Sequence, residues 1–236
     1  MNNRINFNVY ETSPHDCNYL PNRLATTVFV DPYFRKKISL YDKLSQQGFR
    51  RSGEHIYRPQ CQGCNACIAV RVPVKQFVPR RSQRRTWQRN QDLIVSAAAP
   101  KFNPRHFELY CRYLAARHEG DGMDNPTKNS YMDFLTSTWS NTVFYEFSVK
   151  KQLLAVAVVD HLEKGLSAMY TFFDPDYSAR SLGVYAVLWE IEEVKRLNLD
   201  WLYLGYWVKD CRKMSYKTEY QPLEYFYQGT WLRAKG

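Results

Sequence analysis

Acidic side chains are scarce in the first half of this 236-residue chain. Residues 1–120 hold 20 Lys and Arg against 8 Asp and Glu, whereas the rest holds 13 against 15. The net charge of +10 therefore belongs to the first half. A one-signed field of this size raises the local concentration of phosphates or acidic partners and carries no information on fold. Long apolar runs are also missing. The longest, Leu153–Val159 and Leu182–Trp189, hold seven or eight residues, far below the roughly 20 of a spanning helix, so no membrane span is expected. Met1–Cys17 has neither an apolar core nor a small-residue cleavage site, which predicts no secretory signal and a cytoplasmic address. In that reducing compartment the six cysteines are not a disulfide framework.

No repeat, heptad array or Gly/Ser-rich or Pro-rich linker marks a boundary, so one is placed where charge and pattern change. That shift divides the chain into a basic, Cys-rich module over 1–98 and a second domain over 99–236. In the first, a helix is predicted from about Leu40 to Gln47, with Ser39 as N-cap and Gly48 as its stop. After Pro79, Arg81, Arg84, Arg85 and Gln88 recur at i, i+3, i+4, i+7 and predict a helix face or a basic extended segment. In the second, Asn103 as N-cap and Pro104 at the first position open a helix to about His118, with Phe107, Tyr110, Cys111 and Leu114 on one stripe. Three β-rich runs follow, Thr142–Val149, Leu153–His161 and Leu166–Phe173, with hairpin-length gaps. A helix over Leu182–Arg196 and a buried strand over Trp201–Trp207 complete an α+β mixed sheet.

Three constellations carry chemistry. Cys61-Gln-Gly-Cys64-Asn-Ala-Cys67 repeats a two-residue spacing that suits tetrahedral zinc or an iron–sulfur cluster, with Cys17 as fourth ligand and His55 and His15 behind it. The alternative is a turn of reduced thiols. Lys75, Arg80, Arg81, Arg84, Arg85 and Arg89 place six cations in one run without local acid, which favours a nucleic-acid polyanion over a solvated basic face. Between the third strand and the long helix, Asp174-Pro-Asp-Tyr-Ser-Ala-Arg-Ser181-Leu-Gly183 presents free backbone N–H groups to an anion, or is an ordinary cap.

Several segments resemble the arginyl-tRNA–protein transferases. Cys17-Asn-Tyr-Leu-Pro, Gly48-Phe-Arg-Arg-Ser-Gly, Tyr57-Arg-Pro-Gln-Cys61 with its CxxCxxC, and Ser82-Gln-Arg-Arg are similar to that family's N-terminal region. Tyr170-Thr-Phe-Phe-Asp-Pro, Ser181-Leu-Gly, Tyr203-Leu-Gly-Tyr-Trp207 and Lys213-Met-Ser-Tyr-Lys217 are similar to its C-terminal region. The compact length is most like the bacterial, aspartate/glutamate leucyltransferase branch. The resemblance implies an acetyltransferase-like (GNAT) second domain that moves leucine from Leu-tRNA onto proteins beginning with Asp or Glu, creating an N-degron. It also implies zinc or iron–sulfur binding at the cysteines, although the eukaryotic cysteine pattern differs. Arginyl transfer from Arg-tRNA, an acetyl-CoA-dependent N-acetyltransferase and a metal-containing RNA-binding protein are the alternatives.

The chemistry asks little of a cofactor. The ester is already activated, and a protein α-amine with a pKa of roughly 7.7–8.0 is partly neutral at pH 7. Orientation of the two substrates is the main task. The expected partners are aminoacyl-tRNA and acidic protein N-termini, with no DNA. Arg58 and Arg71, then Lys213 and Lys217, are the candidates to read the acidic side chain, because a cation pairs with a carboxylate. Asp160, with Tyr170 beside it, is the candidate proton acceptor, and the backbone of Ser181 and Gly183 is expected to steady an oxyanion or phosphate.

Overall fold

Strand Gln152–His161 is apolar on nearly every residue because both of its faces are covered. Ala155, Ala157 and Val159 enter one core cluster and Val156 and Val158 another. In this computed structural model, residues 7–117 and 125–233 are described. Their elements run β1 (Val9–Glu11), β2 (His15–Asp16), β3 (Leu24–Ala25), β4 (Thr27–Val30), α1 (Ile38–Ser45), β5 (Arg50–Ser52), β6 (His55–Pro59), β7 (Ile68–Pro73), α2 (Arg81–Arg89) and β8 (Ile94–Ala98). There follow α3 (Pro104–Arg117), α4 (Lys128–Leu135), β9 (Thr142–Val149), β10 (Gln152–His161), β11 (Gly165–Phe173), α5 (Leu182–Arg196), β12 (Trp201–Trp207), β13 (Glu224–Tyr227) and β14 (Thr230–Arg233). No described helix is long and apolar enough to cross a membrane.

The main sheet has the order β14-β13-β7-β12-β11-β10-β9-β8, and only β11 and β12 pair in parallel. Helix α5 links that pair, as a parallel pair requires, and packs with α2 on one face through Trp87 and Tyr185. Helices α3 and α4 cover β10 and β11 on the other face. The small sheet β1-β4-β6-β5 and α1 enclose a third cluster, to which Tyr203 of the main sheet belongs. The α+β mixed sheet matches the expectation. The boundary at residue 98 does not follow the topology, since β7 and β8 lie before it and already belong to the main sheet.

Helix α1 begins one residue before Ser39, with Lys37 at the cap and no side-chain cap bond, so Ser39 lies inside the first turn. Gly48 does end the segment: its φ is +80°, and a Cβ there would lie 2.7 Å from the Phe226 ring. The basic run after Pro79 resolves as a helix, where the Gln83 side chain accepts from the Arg80 amide at 2.8 Å. Asn103 caps α3 by accepting from the Arg105 amide at 3.0 Å. The expected end of α3 near His118 lies outside the described residues.

Candidate active site

Parallel pairing of β11 and β12 covers only Gly165–Ser167 against Trp201–Tyr203. Beyond it the strands part, helped by a shift of register between Tyr203 and Gly205 where β12 pairs with β7, and by the left-handed φ of +81° at Gly205. Arg50 from β5 fills the opening. It donates to Ser167 Oγ at 2.9 Å and to the Ala168 carbonyl at 2.7 Å, and a Cβ on Gly205 would lie 3.4 Å from its Nε. Among the described residues Arg50 forms no ion pair, although it is only 8% exposed. A buried guanidinium held by neutral acceptors keeps an uncompensated charge for an anionic or polarised ligand.

The segment Arg212–Glu219, wound as a 3-10 helix, closes the same opening. Its Lys217 is buried and donates from Nζ to the Tyr206 carbonyl. Burial, with Arg50 adding its like charge, pushes this ammonium down to about 7. Tyr216 beside it is exposed, yet surrounding protein desolvates its phenol and raises its pKa, with Glu190, Tyr113 and Arg50 within electrostatic reach. Glu190 of α5 is fully buried, and burial pushes its carboxyl up to about 8 against the opposing pull of Arg50.

Ser181 enters α5 in a left-handed conformation, φ 54° and ψ 48°, without a side-chain cap bond. Gly183 is required for close approach, since a Cβ there would meet the Phe173 ring at 3.0 Å. The turn before Ser181 is tied to α2: Arg180 binds Asp92 at 2.8 Å, Asn90 Nδ2 donates to the Arg180 carbonyl at 2.8 Å, and Arg89 donates to the Ala179 carbonyl. At its other end α2 joins the 3-10 segment, with Arg80 paired to Glu219 and the Gln83 amide donating to the Glu219 carbonyl at 3.1 Å. Lys75 pairs with Asp200 at 2.8 Å. Of the six expected tRNA contacts, Arg81, Arg84, Arg85 and Arg89 are exposed and form no ion pair among the described residues.

The structure gives Asp160 a different role from the one expected. Its carboxylate is fully buried and receives Arg51 Nε and one Arg51 terminal nitrogen, both at 2.8 Å, plus the Thr142 hydroxyl at 2.6 Å. Held by three donors and without exposed surface, it is out of reach of a substrate proton. Arg71 is likewise committed: Glu224 lies 2.7 Å from its Nε, and its guanidinium is sandwiched 4.0 Å from the Trp201 ring and 4.2 Å from the Trp231 ring. Tyr170 packs against Phe134 and Tyr110. Lys213 is exposed on the 3-10 segment. Lys217 faces Arg50, which is a poor setting for a carboxylate reader that must stay charged, because its proton is already weakly held. Arg58 forms no ion pair among the described residues: it donates to Gln60 Oε1 at 2.9 Å, is half-buried, lies over the Phe49 ring and lines a cavity of about 370 Å3 with Cys61, Cys64, Cys67, Tyr206 and Gln228.

The backbones of Cys61 and Cys64, whose thiols are free, pair across a tight turn in which Gly63 takes a φ of +69°. Cys17, Cys61, Cys64 and Cys67 gather there, and Cys211, absent from the expected set, joins them. Burial first, then these neighbouring thiols, pushes Cys67 up to about 12. Cys61 donates to the Thr26 carbonyl at 3.6 Å. A metal needs converging thiolates, whereas among the described residues no three His, Cys, Asp or Glu side chains are placed to hold one. The donor set as arranged does not fit a zinc or iron–sulfur centre, and no step below passes through one.

Sequence reasoning missed Arg50, Glu190 and Tyr216. One signal was present: Glu190 interrupts the apolar stripe of Ala186, Val187 and Val194, where an acid needs a reason.

Comparison with known proteins identifies the family. The model of the arginine-tRNA-protein transferase N terminus matches residues 15–85, and that of the C terminus matches residues 105–227. The aspartate/glutamate leucyltransferase of Hahella chejuensis is 50% identical over 232 residues, covering 98% of this chain and 99% of that protein. The aspartate/glutamate leucyltransferase of Pseudomonas entomophila is 50% identical over 94% of this chain and 95% of its own. Among solved structures, L-PGS from Bacillus licheniformis aligns with a TM-score of 0.46 and 10% identity over 73% of this chain and 50% of that one, a likeness too slight to build on. With both halves matched in order and half the residues identical along nearly its whole length, the chain belongs to the arginine-tRNA-protein transferase family.

Proposed function

We propose that this protein transfers leucine from Leu-tRNA to the α-amine of proteins that begin with Asp or Glu, making a peptide bond and exposing a new N-terminal leucine that marks the protein for degradation. The observation that carries this reading is the placement of α2. Its arginine face is fastened at one end to the segment bearing Tyr216 and Lys217 and at the other to the turn before Ser181, so a basic track borders the opening between β11 and β12. A tRNA held by its phosphates on that track brings its esterified 3′ end to the opening.

The acceptor amine attacks the ester carbonyl carbon. A C–N bond forms, and the C–O bond to the ribose breaks. Lys217, half neutral near pH 7 and increasingly so above it, takes the proton of the acceptor ammonium, and the departing ribose oxygen takes one in return. We assign the steadying of the negative charge that develops to the α5 amides beyond Ser181 and to the Arg50 guanidinium. Arg58, in the cavity of the cysteine turn, reads the acidic side chain of the acceptor. The cytoplasm supplies both substrates.

Incubation with labelled Leu-tRNA, Arg-tRNA or acetyl-CoA, and peptides starting with Asp, Glu, Lys or Ala, tests this. Label is expected on the Asp and Glu peptides from Leu-tRNA. Labelling from acetyl-CoA without labelling from either tRNA overturns the reading. A second measurement addresses the track. In the double variant Arg84→Gln/Arg85→Gln, the slope of log affinity for tRNA against log salt should fall by about 2, roughly one for each lost phosphate contact. An unchanged slope removes α2 from the RNA interface.

A further inference from the structure

Among the acids of the described residues Glu190 alone is wholly enclosed without a hydrogen-bond partner. Both carboxyl oxygens lack any hydrogen bond, and the residue has no exposed surface. The contrast lies in the same fold: Asp160 is equally buried but receives Arg51 and Thr142, and Glu224 holds Arg71. A buried acid with nothing donating to it is costly, and an apolar residue of the same size would pack α5 without that cost. Its surroundings say what is missing. Arg50, Tyr145, Tyr216 and Tyr220 all lie within electrostatic reach of it, yet none of them donates to it. Neither those phenols nor the guanidinium, which is already fixed on Ser167 and Ala168, donates to the carboxyl, so both of its oxygens are left unfilled beside Arg50.

We infer that Glu190 receives the α-ammonium of the aminoacyl group carried by the donor tRNA, and so selects an aminoacyl ester over a plain acyl ester. The inference rests on the transferase reading above and adds the feature of the donor that is recognised. The chemistry is matched. An α-amine has an unperturbed pKa of roughly 7.7–8.0, and burial holds Glu190 near 8. One proton is then shared between two groups of similar affinity, as ammonium with carboxylate or as amine with carboxylic acid, and the hydrogen bond persists in both forms.

The test compares leucyl-tRNA with its desamino analogue, 4-methylpentanoyl-tRNA, as donors to an Asp peptide. The unaltered protein should favour leucyl-tRNA in kcat/KM by at least about 30-fold, the scale expected for a buried charged pair that loses one member. In Glu190→Gln that preference should shrink to within about threefold, chiefly through loss of leucyl transfer. Glu190→Leu, which removes the unpartnered carboxyl altogether, should narrow it as well while melting at or above the temperature of the unaltered protein. An equal fall with both donors makes Glu190 a packing residue and overturns the inference. Equal use of both donors by the unaltered protein also overturns it, while leaving the transferase reading intact. Transfer from neither donor defeats that reading, and the inference with it.

Discussion

Replacing Lys217 by methionine is expected to lower kcat/KM for leucine transfer by about 10²–10⁴-fold, the usual contribution of a positioned general base. The expectation follows from the environment of this side chain. It is buried, its Nζ is anchored on the Tyr206 carbonyl, and burial with nearby Arg50 brings its pKa to about 7. In the unaltered protein kcat/KM should therefore rise with pH through about 7, as the neutral amine forms. Lys217→Arg keeps the charge but cannot give up its proton near neutral pH, so it should be as inactive as the methionine variant. A variant retaining kcat/KM within about threefold would place the proton acceptor elsewhere.

Stability provides a readout separate from activity. The folded-state pKa of about 7 lies below the unfolded value near 10.4, so the folded protein releases this proton first. Between these values the unfolded chain binds more protons, and stability rises with pH. Lys217→Met should lack that component of the rise, which urea midpoints at pH 6.5 and 9 for the two proteins would reveal. Removing a buried ammonium should not weaken the fold at pH 6.5, so inactivity of the variant is not misfolding.

How much of this was legible in the sequence depended on whether periodicity or partner choice decided the outcome. The hairpins from Thr142 to Phe173, helix α5 and strand β12 announce themselves because their side chains are sorted by burial at periods of 2 and 3.6. Short elements do not. Helix α4 is eight residues capped by Thr127 and Ser130, and β5 has three residues, too few for a pattern. The membership of β7 in the main sheet is set by pairing with β12 and β13, far away in the chain.

The same limit applies to the site. Family motifs led to the elements that border the opening, including the Ser181 turn and Lys217. Which arginine is free and which is paired lies beyond a sequence motif. Arg50 and Arg51 are neighbours in one three-residue strand, so their side chains leave it in opposite directions. One reaches the parting of β11 and β12, and the other closes on Asp160. Arg58 and Arg71 looked equivalent beside the cysteine turn until Glu224, contributed from the far end of the chain, took Arg71.

Asp160→Asn should cost about 3–5 kcal/mol of stability, because the guanidinium of Arg51 would remain buried without its counter-charge. For a chain of this size that corresponds to a melting temperature lower by about 6–20 °C. The pair also has a mechanical position. Arg51 belongs to the small sheet, Asp160 to the end of β10 and Thr142 to the start of β9, while Arg51 also donates to the Leu135 carbonyl at the end of α4 and to the Gly53 carbonyl. One guanidinium thus fastens the small sheet to the main sheet and to the layer covering its α3 face. The complementary substitution separates pairing from packing: Arg51→Met combined with Asp160→Leu removes both charges at similar volume and should recover most of the stability lost by Asp160→Asn. A general base in the same place would behave otherwise, with Asp160→Asn abolishing transfer while the melting temperature stayed unchanged. That outcome would restore Asp160 to the catalytic machinery and displace Lys217.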